Sequence, residues 1–334
     1  MDPVVVLGAG AWGTALSRYL AERGATVRLW THRPEHAAAL RADRENREFF
    51  PGHALHPGVE PLSDLERAVE GAALVVLVVP TAFERATLEG ARAALLPDAL
   101  IVVANKGIET GSLRLPTEVV GDVLGAESEA RVVALSGPSF AEEVARGLPT
   151  NLVAASRNAS AAARVQSLFA SERLRVYTSE DPIGVQVGGA LKNVIAIAAG
   201  AADGLGFGHN TRAALITRGL AEMARLAVAK GGEALTLAGL SGLGDLVLTC
   251  SATLSRNRTV GFELGRGHRL DAVLAALGHV AEGVETARSA HDLGVRLGVD
   301  LPITNEVYGV LYEGKRVDEA VRELLMRPPR KEWG

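Results

Sequence analysis

The stretch that decides the fold is residues 4–30, VVVLGAGAWGTALSRYLAERGATVRLW. It begins with the uncharged apolar run Val4–Leu7 and passes directly into a glycine-rich segment, GAGAWG, at residues 8–13. Apolar residues then recur at helical spacing, and a second strand-like run, residues 26–30, follows Gly24. This order predicts a strand, a glycine turn, a helix and a second strand, which is how a doubly wound α/β sheet begins.

The three glycines of the turn have the spacing G-x-G-x-x-G, and each has a physical task. Gly8 permits a tight turn, Gly10 lets the backbone approach a pyrophosphate, and Gly13 lets the helix pack closely on the strand. The N–H groups and the dipole at the start of the helix favour the negative charge of a diphosphate. A glycine-rich turn in another α/β fold is the alternative, but the flanking strand, helix and strand favour dinucleotide binding.

The end of the second predicted strand bears on the choice of cofactor. NAD-specific folds usually place Asp or Glu there to bind the ribose 2′-hydroxyl. Here Thr31, His32 and Arg33 follow the strand, and the first acid, Glu35, comes after Pro34. Because basic groups at this point tolerate a 2′-phosphate, we expect the protein to accept both NAD(H) and NADP(H).

The rest of the chain divides into two parts by its pattern. Up to about residue 180, helical stretches alternate with apolar runs that predict strands, and the further runs are residues 74–79, 100–103, 131–135, 152–155 and 173–177. Continuous, β-branched runs are typical of parallel strands buried on both faces. Beyond residues 179–182 the pattern predicts only helices. We therefore expect an α/β dinucleotide-binding domain at residues 1–180 and an all-α domain for substrate binding and catalysis at residues 181–334.

The composition narrows the class of protein. A length of 334 residues suits two domains, and a net charge of −4 gives no basic field to attract nucleic acid. Cys250 is the single cysteine, so no internal disulfide forms, which fits a cytoplasmic protein. The N-terminus lacks the features of a secretory signal, and Lys192 interrupts the most apolar segment, so we expect no membrane span.

Lys192 is the most informative polar residue, because it and Asn193 are the only polar side chains in the run 188–200. A buried, unpaired ammonium costs several kcal/mol or loses its proton. A lysine kept in such a helix is therefore a candidate acid/base group. The alternative is that Lys192 reaches the surface at one edge of the helix, but the small residues around it favour close packing.

Other polar residues leave two interpretations open. Asp245, in the apolar run 239–250, is either a group at a helix terminus or the partner of a buried cation. The turn 255–258, SRNR, offers guanidinium and amide donors that suit a phosphate, or it is a solvated basic turn. Lys106 follows the predicted strand 100–103, on the side of the sheet where ligands bind, or it is merely solvated. Cys250 is interpreted as a small core residue.

Several blocks together resemble a known family. They are residues 105–107, 136–140, 189–196, 203–210, 242–250 and 255–257, and in this order they resemble bacterial NAD(P)-dependent glycerol-3-phosphate dehydrogenases from about residue 4 to residue 326. The resemblance implies a Rossmann-type sheet followed by a helical domain, and reversible reduction of dihydroxyacetone phosphate to sn-glycerol 3-phosphate for glycerophospholipid synthesis. It implies a cytoplasmic homodimer with a small phosphorylated substrate and no nucleic acid, membrane insertion or metal.

The resemblance also implies roles for single residues. Lys192 is the acid/base group, Lys106 contacts substrate and nicotinamide, and Asp245 positions Lys192 or the substrate hydroxyls. The substrate-binding set comprises Lys106, Gly137, Ser139, Lys192, Asn193, Asp245, Ser255, Arg256 and Asn257. The cofactor-binding set comprises Gly8, Gly10, Ala11, Trp12, Gly13, His32, Arg33, Lys106, Ala141, Arg256, Val280 and Glu282. Ala11 stands where relatives often carry Ser or Asn, which removes one side-chain hydrogen bond to the pyrophosphate.

Two other classes share the N-terminal pattern. A sugar-nucleotide dehydrogenase uses a nucleophilic cysteine, and Cys250 is the only candidate in this chain, with no activating base among its sequence neighbours. A dinucleotide-sensing binding protein has no use for a buried Lys192. Both alternatives are therefore disfavoured.

Overall fold

The computed structural model describes residues 3–278, 281–328 and 331. The chain forms two compact units. The first comprises the chain up to Glu109 together with Arg114–Gln186, and the second comprises Thr110–Leu113 together with the chain from Val187 onward. The division falls inside the helix Pro182–Gly204, shortly after the boundary of residue 180 predicted from the sequence.

The first unit is built on a sheet. Its strands are β1 Val4–Leu7, β2 Val27–Trp30, β3 Glu45–Asn46, β4 Phe50–Ala54, β5 Val59–Leu62, β6 Leu74–Leu77, β7 Leu100–Val103, β8 Val132–Ser136, β9 Thr150–Ala155 and β10 Leu174–Ser179. Its helices are α1 Ala11–Glu22, α2 Pro34–Asp43, α3 Leu65–Val69, α4 Thr81–Ala91, α5 Pro116–Leu124, α6 Ala141–Ala145 and α7 Ala159–Phe169, with a 3₁₀ helix at Ala126–Arg131.

Eight strands form one sheet in the order β10-β9-β8-β7-β6-β1-β2-β5, and β3 and β4 form a separate hairpin. The strand β1 pairs in parallel with both β2 and β6. The chain runs outward from β1 to β5 and then crosses back to β6, so the strand order reverses beside β1. In sheets of this kind, ligands bind outside the carboxyl ends of the strands at that reversal.

Burial explains why these runs form strands. Val4 and Val6 pack into the core on one face of the sheet, and Val5 and Leu7 pack into the core on the other. Because successive side chains of a strand point to opposite faces, a strand covered on both sides needs an unbroken apolar run. That is the pattern of residues 4–7.

The sequence pattern predicted parallel strands, but two of the eight strands, β9 and β10, run opposite to the other six. The pairs β1–β2, β1–β6, β2–β5, β6–β7, β7–β8 and β9–β10 are parallel, but β9 runs antiparallel to β8. The chain passes from β8 to β9 through residues 137–149, in which α6 is the one helix. The strand β5 was also not predicted, because Glu60 and Pro61 interrupt the apolar pattern expected of a strand. It lies at the edge of the sheet, where a proline is tolerated.

The second unit is helical throughout its described residues. Its helices are α8 Pro182–Gly204, which begins in the first unit, α9 His209–Ala229, α10 Ala234–Leu237, a π-helix Leu240–Gly244, α11 Asp245–Ser251, α12 Arg256–Gly265, α13 Leu270–Leu277, α14 Glu282–Leu297, α15 Pro302–Tyr312 and α16 Val317–Leu325. The helix α8 is the one described helix that is long and apolar enough to cross a membrane, but 94% of its most apolar window is buried inside the protein. A helix whose surface is already covered by protein offers little to lipid.

Close backbone approach fixes α12 against α8. A Cβ atom on Gly200 would lie 2.0 Å from the carbonyl oxygen of Arg258, and one on Gly261 would lie 1.9 Å from that of Ile197. Larger residues at either position would force the two helices apart. The glycines therefore set how the turn 255–258 lies relative to the helix that carries Lys192.

Candidate active site

The glycine turn of the first unit has the geometry of an anion-binding site. Gly8 has φ +121°, and a Cβ there would lie 2.9 Å from the backbone of Val78 and Val79. A Cβ on Gly13 would lie 1.9 Å from the carbonyl oxygen of Gly8, whereas the space beside Gly10 is open. The helix α1 begins at Ala11 without a side-chain cap or an acidic residue in its first turn. The turn thus fits a diphosphate at the helix N-terminus.

The end of β2 is flanked by charges that the linear sequence does not reveal. His32 is exposed, and Arg33 forms an ion pair of 2.6 Å with Glu48, next to the hairpin of β3 and β4. The guanidinium of Arg33 also lies 5.6 Å from the ring centroid of Phe49. The sequence analysis found no acid near this position before Glu35, but the fold brings one from residue 48.

A buried polar network ties the same hairpin to the glycine turn. Asn46 Nδ2 donates to the carbonyl oxygen of Ala9 at 2.9 Å and to Thr14 Oγ1 at 2.7 Å. His36 bridges Asn46 Oδ1, at 3.2 Å, and Thr31 Oγ1, at 3.1 Å. These residues were missed from sequence, because Asn46 stands in a polar stretch that gives no sign of burial. The network links the hairpin, the start of α1 and the end of β2.

A second cluster lies at the carboxyl ends of β7 and β8. Lys106 Nζ donates to the carbonyl oxygen of Gly137 at 3.1 Å, and Ser139 Oγ donates to the same oxygen at 3.0 Å. Gly137 has φ +139°, and a Cβ there would lie 2.9 Å from the carbonyl oxygen of Asn151. Ala141 begins α6 just beyond. The fold therefore brings together four residues that the sequence analysis assigned to substrate or cofactor.

The third cluster lies in the second unit around Lys192. The side chain is 9% exposed, and its Nζ donates to Asp245 Oδ1 at 2.7 Å and to Thr249 Oγ1 at 2.9 Å. Lys192 is thus buried rather than exposed at a helix edge. Asp245 is both the first residue of α11 and the partner of a buried cation, so the two interpretations left open by the sequence hold together.

Thr249 was missed by the sequence analysis. Its hydroxyl accepts from Lys192 and donates to the carbonyl oxygen of Asp245 at 2.6 Å. The signal was its position four residues after Asp245, because residues at that spacing share one face of a helix. A buried ammonium needs both charge compensation and hydrogen-bond acceptors, and this pair supplies them.

The start of α12 holds the proposed phosphate-binding residues. Ser255 caps the helix and accepts from the backbone N–H of Arg258. Asn257 is buried, and its Oδ1 accepts from the backbone N–H of Gly283 at 2.9 Å, which turns the amide nitrogen away from Gly283. Arg256 is exposed at the first helical position.

The second arginine of this turn has another task. Arg258 makes a two-pronged contact with Asp203 Oδ2, at 2.7 and 3.1 Å, and Arg212 makes a similar contact with Asp203 Oδ1. A carboxylate shared by two guanidinium groups is strongly held. Arg258 is therefore engaged within the unit, and Arg256 is the better candidate for a substrate phosphate.

The remaining predicted residues fall close to these clusters or outside the described chain. Asn193 is buried beside Lys192, and its carbonyl group lies 2.8–3.0 Å from where a Cβ on Gly283 would be. Glu282 begins α14, directly before Gly283. Trp12 is partly buried in the first turn of α1. Val280 lies outside the described residues.

Comparison with known proteins identifies the family of the chain. The family model for the N-terminus of NAD-dependent glycerol-3-phosphate dehydrogenase matches residues 3–162, and that for the C-terminus matches residues 181–322. The chain belongs to this family. The glycerol-3-phosphate dehydrogenase [NAD(P)+] of Geobacter metallireducens is 52% identical over 100% of this chain and 99% of its own length. That of Moorella thermoacetica is 50% identical over 98% and 96%.

A solved structure of the same family is similar throughout. The glycerol-3-phosphate dehydrogenase of Coxiella burnetii superposes with a TM-score of 0.93 at 39% identity, covering 98% of this chain and 99% of that chain. The family resemblance predicted from the motifs is confirmed. So is the predicted fold class, a Rossmann-type sheet followed by a helical domain.

Membership of the glycerol-3-phosphate dehydrogenase family also agrees with the state of Cys250. The residue is fully buried, and burial raises the pKa of its thiol to about 12. The nearby cations Lys192, Arg212 and Arg258 lower that pKa but do not offset the burial. Because the thiolate is the nucleophilic form, Cys250 does not suit the covalent chemistry of a sugar-nucleotide dehydrogenase.

Proposed function

We propose that this protein catalyses the reversible NAD(P)H-dependent reduction of dihydroxyacetone phosphate to sn-glycerol 3-phosphate, the precursor of glycerophospholipids. The observation that carries the proposal is the buried Lys192, whose ammonium lies 2.7 Å from Asp245 within a helix that is otherwise almost wholly apolar. Burial of this ammonium costs desolvation free energy, which indicates that the lysine has a function. The reaction requires a group that transfers a proton, and Lys192 can supply it.

In this proposal most of the residues that bind the cofactor belong to the first unit. The backbone of the turn 8–13 and the start of α1 bind the pyrophosphate, with Trp12 and Ala11 at the helix start. His32 and Arg33 flank the adenosine ribose, while Lys106 and Ala141 lie nearer the nicotinamide. Arg256, Val280 and Glu282 complete the set. A bound nicotinamide supplies the hydride that C2 of the substrate receives.

Lys192 supplies the proton. When C2 of dihydroxyacetone phosphate gains a hydride, its oxygen gains negative charge, and the ammonium of Lys192 donates a proton to it. In the reverse direction the amine removes the proton from the C2 hydroxyl. Asp245 and Thr249 hold the ammonium through the contacts of 2.7 and 2.9 Å, so they position the proton that is transferred.

The phosphate is bound at the start of α12. The guanidinium of Arg256 offers a two-pronged contact to a phosphate dianion, and Asn257 presents amide donors beside it. Ser255 and the first N–H groups of α12 add donors at the positive end of the helix dipole. The rest of the substrate is contacted by Lys106, Gly137, Ser139 and Asn193.

One assay tests the proposal directly. Purified protein is mixed with NADH or NADPH, and oxidation of the cofactor is followed on adding dihydroxyacetone phosphate, with unphosphorylated dihydroxyacetone alongside. We expect rapid oxidation of both cofactors with the phosphorylated ketone and feeble turnover with the other. Equal rates with the two ketones would exclude a phosphate-reading dehydrogenase.

The quaternary state and the location are also proposals. We propose a cytoplasmic homodimer joined through the helical domain. Several large apolar side chains of that unit are exposed on elements that touch one another, namely Val228 on α9, Leu235 on α10, Leu243 on the π-helix and Val247 on α11. A second copy would cover them. Light scattering that gives the monomer mass at micromolar concentration would refute the dimer.

A further inference from the structure

Three buried polar side chains lie beside the turn that carries Lys106 and belong to neither proposed set. Glu84 of α4 is fully buried, Thr81 begins the same helix, and Asn105 comes directly before Lys106. Asn105 Nδ2 donates to Glu84 Oε2 at 2.8 Å and to the carbonyl oxygen of Val79 at 3.1 Å. One amide group thus joins the segment after β7 to the segment after β6 and to α4.

The hydrogen bonding of this cluster is incomplete when Glu84 is ionised. Glu84 Oε1, Asn105 Oδ1 and Thr81 Oγ1 are buried and have no hydrogen-bond partner among the described residues. A carboxylate and an amide oxygen only accept, so an ionised Glu84 leaves the cluster rich in acceptors. A protonated Glu84 gains a donor for one of these oxygens. Thr81 and Glu84 lie three residues apart on α4 and therefore on the same side of the helix.

The electrostatic surroundings favour the same neutral form. Burial is the largest effect and raises the pKa of Glu84 to about 8. The carboxylate of Glu109 raises it further, while the hydrogen bond from Asn105 and the guanidinium of Arg85 lower it. Arg85 and Glu109 are paired with each other at 2.8 Å, so Arg85 compensates little of the charge that Glu84 would carry.

We propose that neutral Glu84 is a positioning residue for Lys106, because it fixes Asn105 and Asn105 fixes the turn on which Lys106 stands. Lys106 Nζ donates to Gly137 at the end of β8, so a shift of the turn after β7 moves the ammonium relative to that cluster. Small displacements of a group that orients substrate have large kinetic effects, about 10²-fold for 1 Å. The inference rests on the role proposed above for Lys106.

The first test is a double-mutant cycle between the two residues. Glu84→Leu introduces an apolar side chain of similar size and removes the acceptor for Asn105, and Lys106→Met removes the ammonium. We expect Glu84→Leu to lower kcat/KM for dihydroxyacetone phosphate about tenfold in the wild-type background, a partial displacement by the same reasoning. In the Lys106→Met background it should have almost no further effect. Glu89→Leu, an exposed glutamate on the same helix, is the matched control.

The second test does not depend on the leucine variant folding. Glu84→Gln keeps an acceptor for Asn105 and adds a donor, so it should rescue the loss near pH 7. Above pH 8 the wild-type glutamate ionises and the glutamine does not. Asn105 donates more strongly to the carboxylate, but the charge also falls on the buried Oε1, which has no partner among the described residues, and this favours a rearrangement of the cluster. We therefore expect the ratio of kcat/KM, glutamine variant over wild type, to rise between pH 7 and pH 9.5. Other titrating groups are common to both proteins and cancel in the ratio.

The outcomes separate this inference from the proposed function. A flat ratio from pH 7 to 9.5, or a loss from Glu84→Leu that is equally large in the Lys106→Met background, would overturn the positioning role. If the wild-type protein fails to reduce dihydroxyacetone phosphate, the proposed function fails instead. The same variants and the same pH series can then be tested by measuring NADH affinity with fluorescence titration. Each change in affinity should have the same direction as the change expected for kcat/KM.

Discussion

The sites of the two units use different kinds of chemical group. In the first, the groups that would bind the diphosphate are backbone N–H groups within the six residues 8–13, made accessible by glycine. In the second, the central group is a side chain, Lys192, whose partners Asp245 and Thr249 lie 53 and 57 residues away in the chain. One site is local in sequence, and the other exists only after helices have packed.

This difference has a physical consequence for tolerance to substitution. A backbone site is insensitive to most side-chain changes but fails where a Cβ cannot fit. A buried side-chain site fails when either partner is removed, because the other is left as an uncompensated charge. The predictions below test the two kinds of site in turn.

The largest effect is expected at Lys192. Lys192→Met removes the proton donor, and loss of a general acid costs about 10²–10⁴-fold in kcat. The substitution also leaves Asp245 buried without its cation, which costs several kcal/mol of stability. The buried ion pair with Asp245 therefore makes a loss of stability part of the expected result.

A companion variant separates the two effects. The double variant Lys192→Met with Asp245→Asn removes both charges, so it should regain stability without regaining activity. Turnover at saturating substrate and urea unfolding give the two quantities. A folded Lys192→Met protein with full kcat would eliminate the acid/base assignment.

The next effect concerns the phosphate. Arg256→Ala removes a guanidinium whose charge-assisted hydrogen bonds contribute about 1.5–3 kcal/mol each, so kcat/KM for dihydroxyacetone phosphate should fall about 10²-fold. Binding energy from the phosphate also helps to orient the carbonyl, so kcat should fall while KM rises. Turnover of unphosphorylated dihydroxyacetone should change little. Arg266→Ala, an exposed arginine at the far end of α12, is the control, and equal losses on the two ketones would contradict the assignment.

The glycine turn gives the matching test in the first unit. Gly13→Ala places a Cβ 1.9 Å from the carbonyl oxygen of Gly8, which the backbone cannot accept without moving. Overpacking costs about 1–3 kcal/mol, so NADH affinity should fall about 10- to 100-fold. Gly121→Ala, on α5 with open space around it, should leave affinity unchanged. Similar affinities for the two variants would show that close packing at Gly13 is not needed for cofactor binding.

The sequence predicted the local site better than the packed one, and particular residues show why. The order strand, turn, helix was predicted because each element depends on its own residues, and β1 spans the predicted residues Val4–Leu7 with α1 following the glycine turn. Burial of Lys192 was also predicted from its apolar neighbours. Its partner Asp245 was assigned only through the family resemblance, because nothing local distinguishes an acid at a helix start from one that faces a cation, and Thr249 was missed.

The residues missed outright depend on tertiary contacts. Glu48 reaches Arg33 only because a hairpin folds back, and Asn46 is buried only because the same hairpin covers the glycine turn. Glu84 stands among polar residues of an amphipathic helix, where a glutamate is ordinarily solvated. Burial of these three could not be inferred from spacing or composition.

A smaller effect should distinguish the two cofactors. Arg33→Asp replaces a cation near the adenosine ribose by an anion, so NADPH should bind at least about tenfold more weakly while NADH changes less. Glu48→Gln is the matched variant, because it releases Arg33 from its 2.6 Å ion pair and should strengthen NADPH binding. Fluorescence titration measures the affinities of both variants for NADH and NADPH. Equal losses for both cofactors would show that Arg33 does not face the 2′ position.

The smallest effect compares two buried carboxyl groups, one in each unit. Burial raises the pKa of Glu84 to about 8 and that of Glu222 to about 7. Glu222 stays lower because it accepts from the backbone N–H groups of Ile303 and Thr304, at 2.6 and 3.2 Å, at the start of α15. Backbone donors that favour the carboxylate therefore offset part of the cost of burial.

The sign of the pH dependence at Glu222 follows from its two pKa values. Between about pH 4.5, its ordinary value, and about pH 7, the folded protein keeps a proton that the unfolded chain has lost. Stability from this group is full below that window and falls, by at most a few kcal/mol, as pH rises through it. Glu222→Gln cannot titrate, so its unfolding free energy relative to wild type should rise from pH 5 to pH 7 and level off above. Glu84 titrates in both proteins and cancels, and the exposed Glu319→Gln should show no such rise. Urea midpoints at four pH values measure the difference, and one that stays constant would mean that Glu222 is ionised in the fold at pH 5.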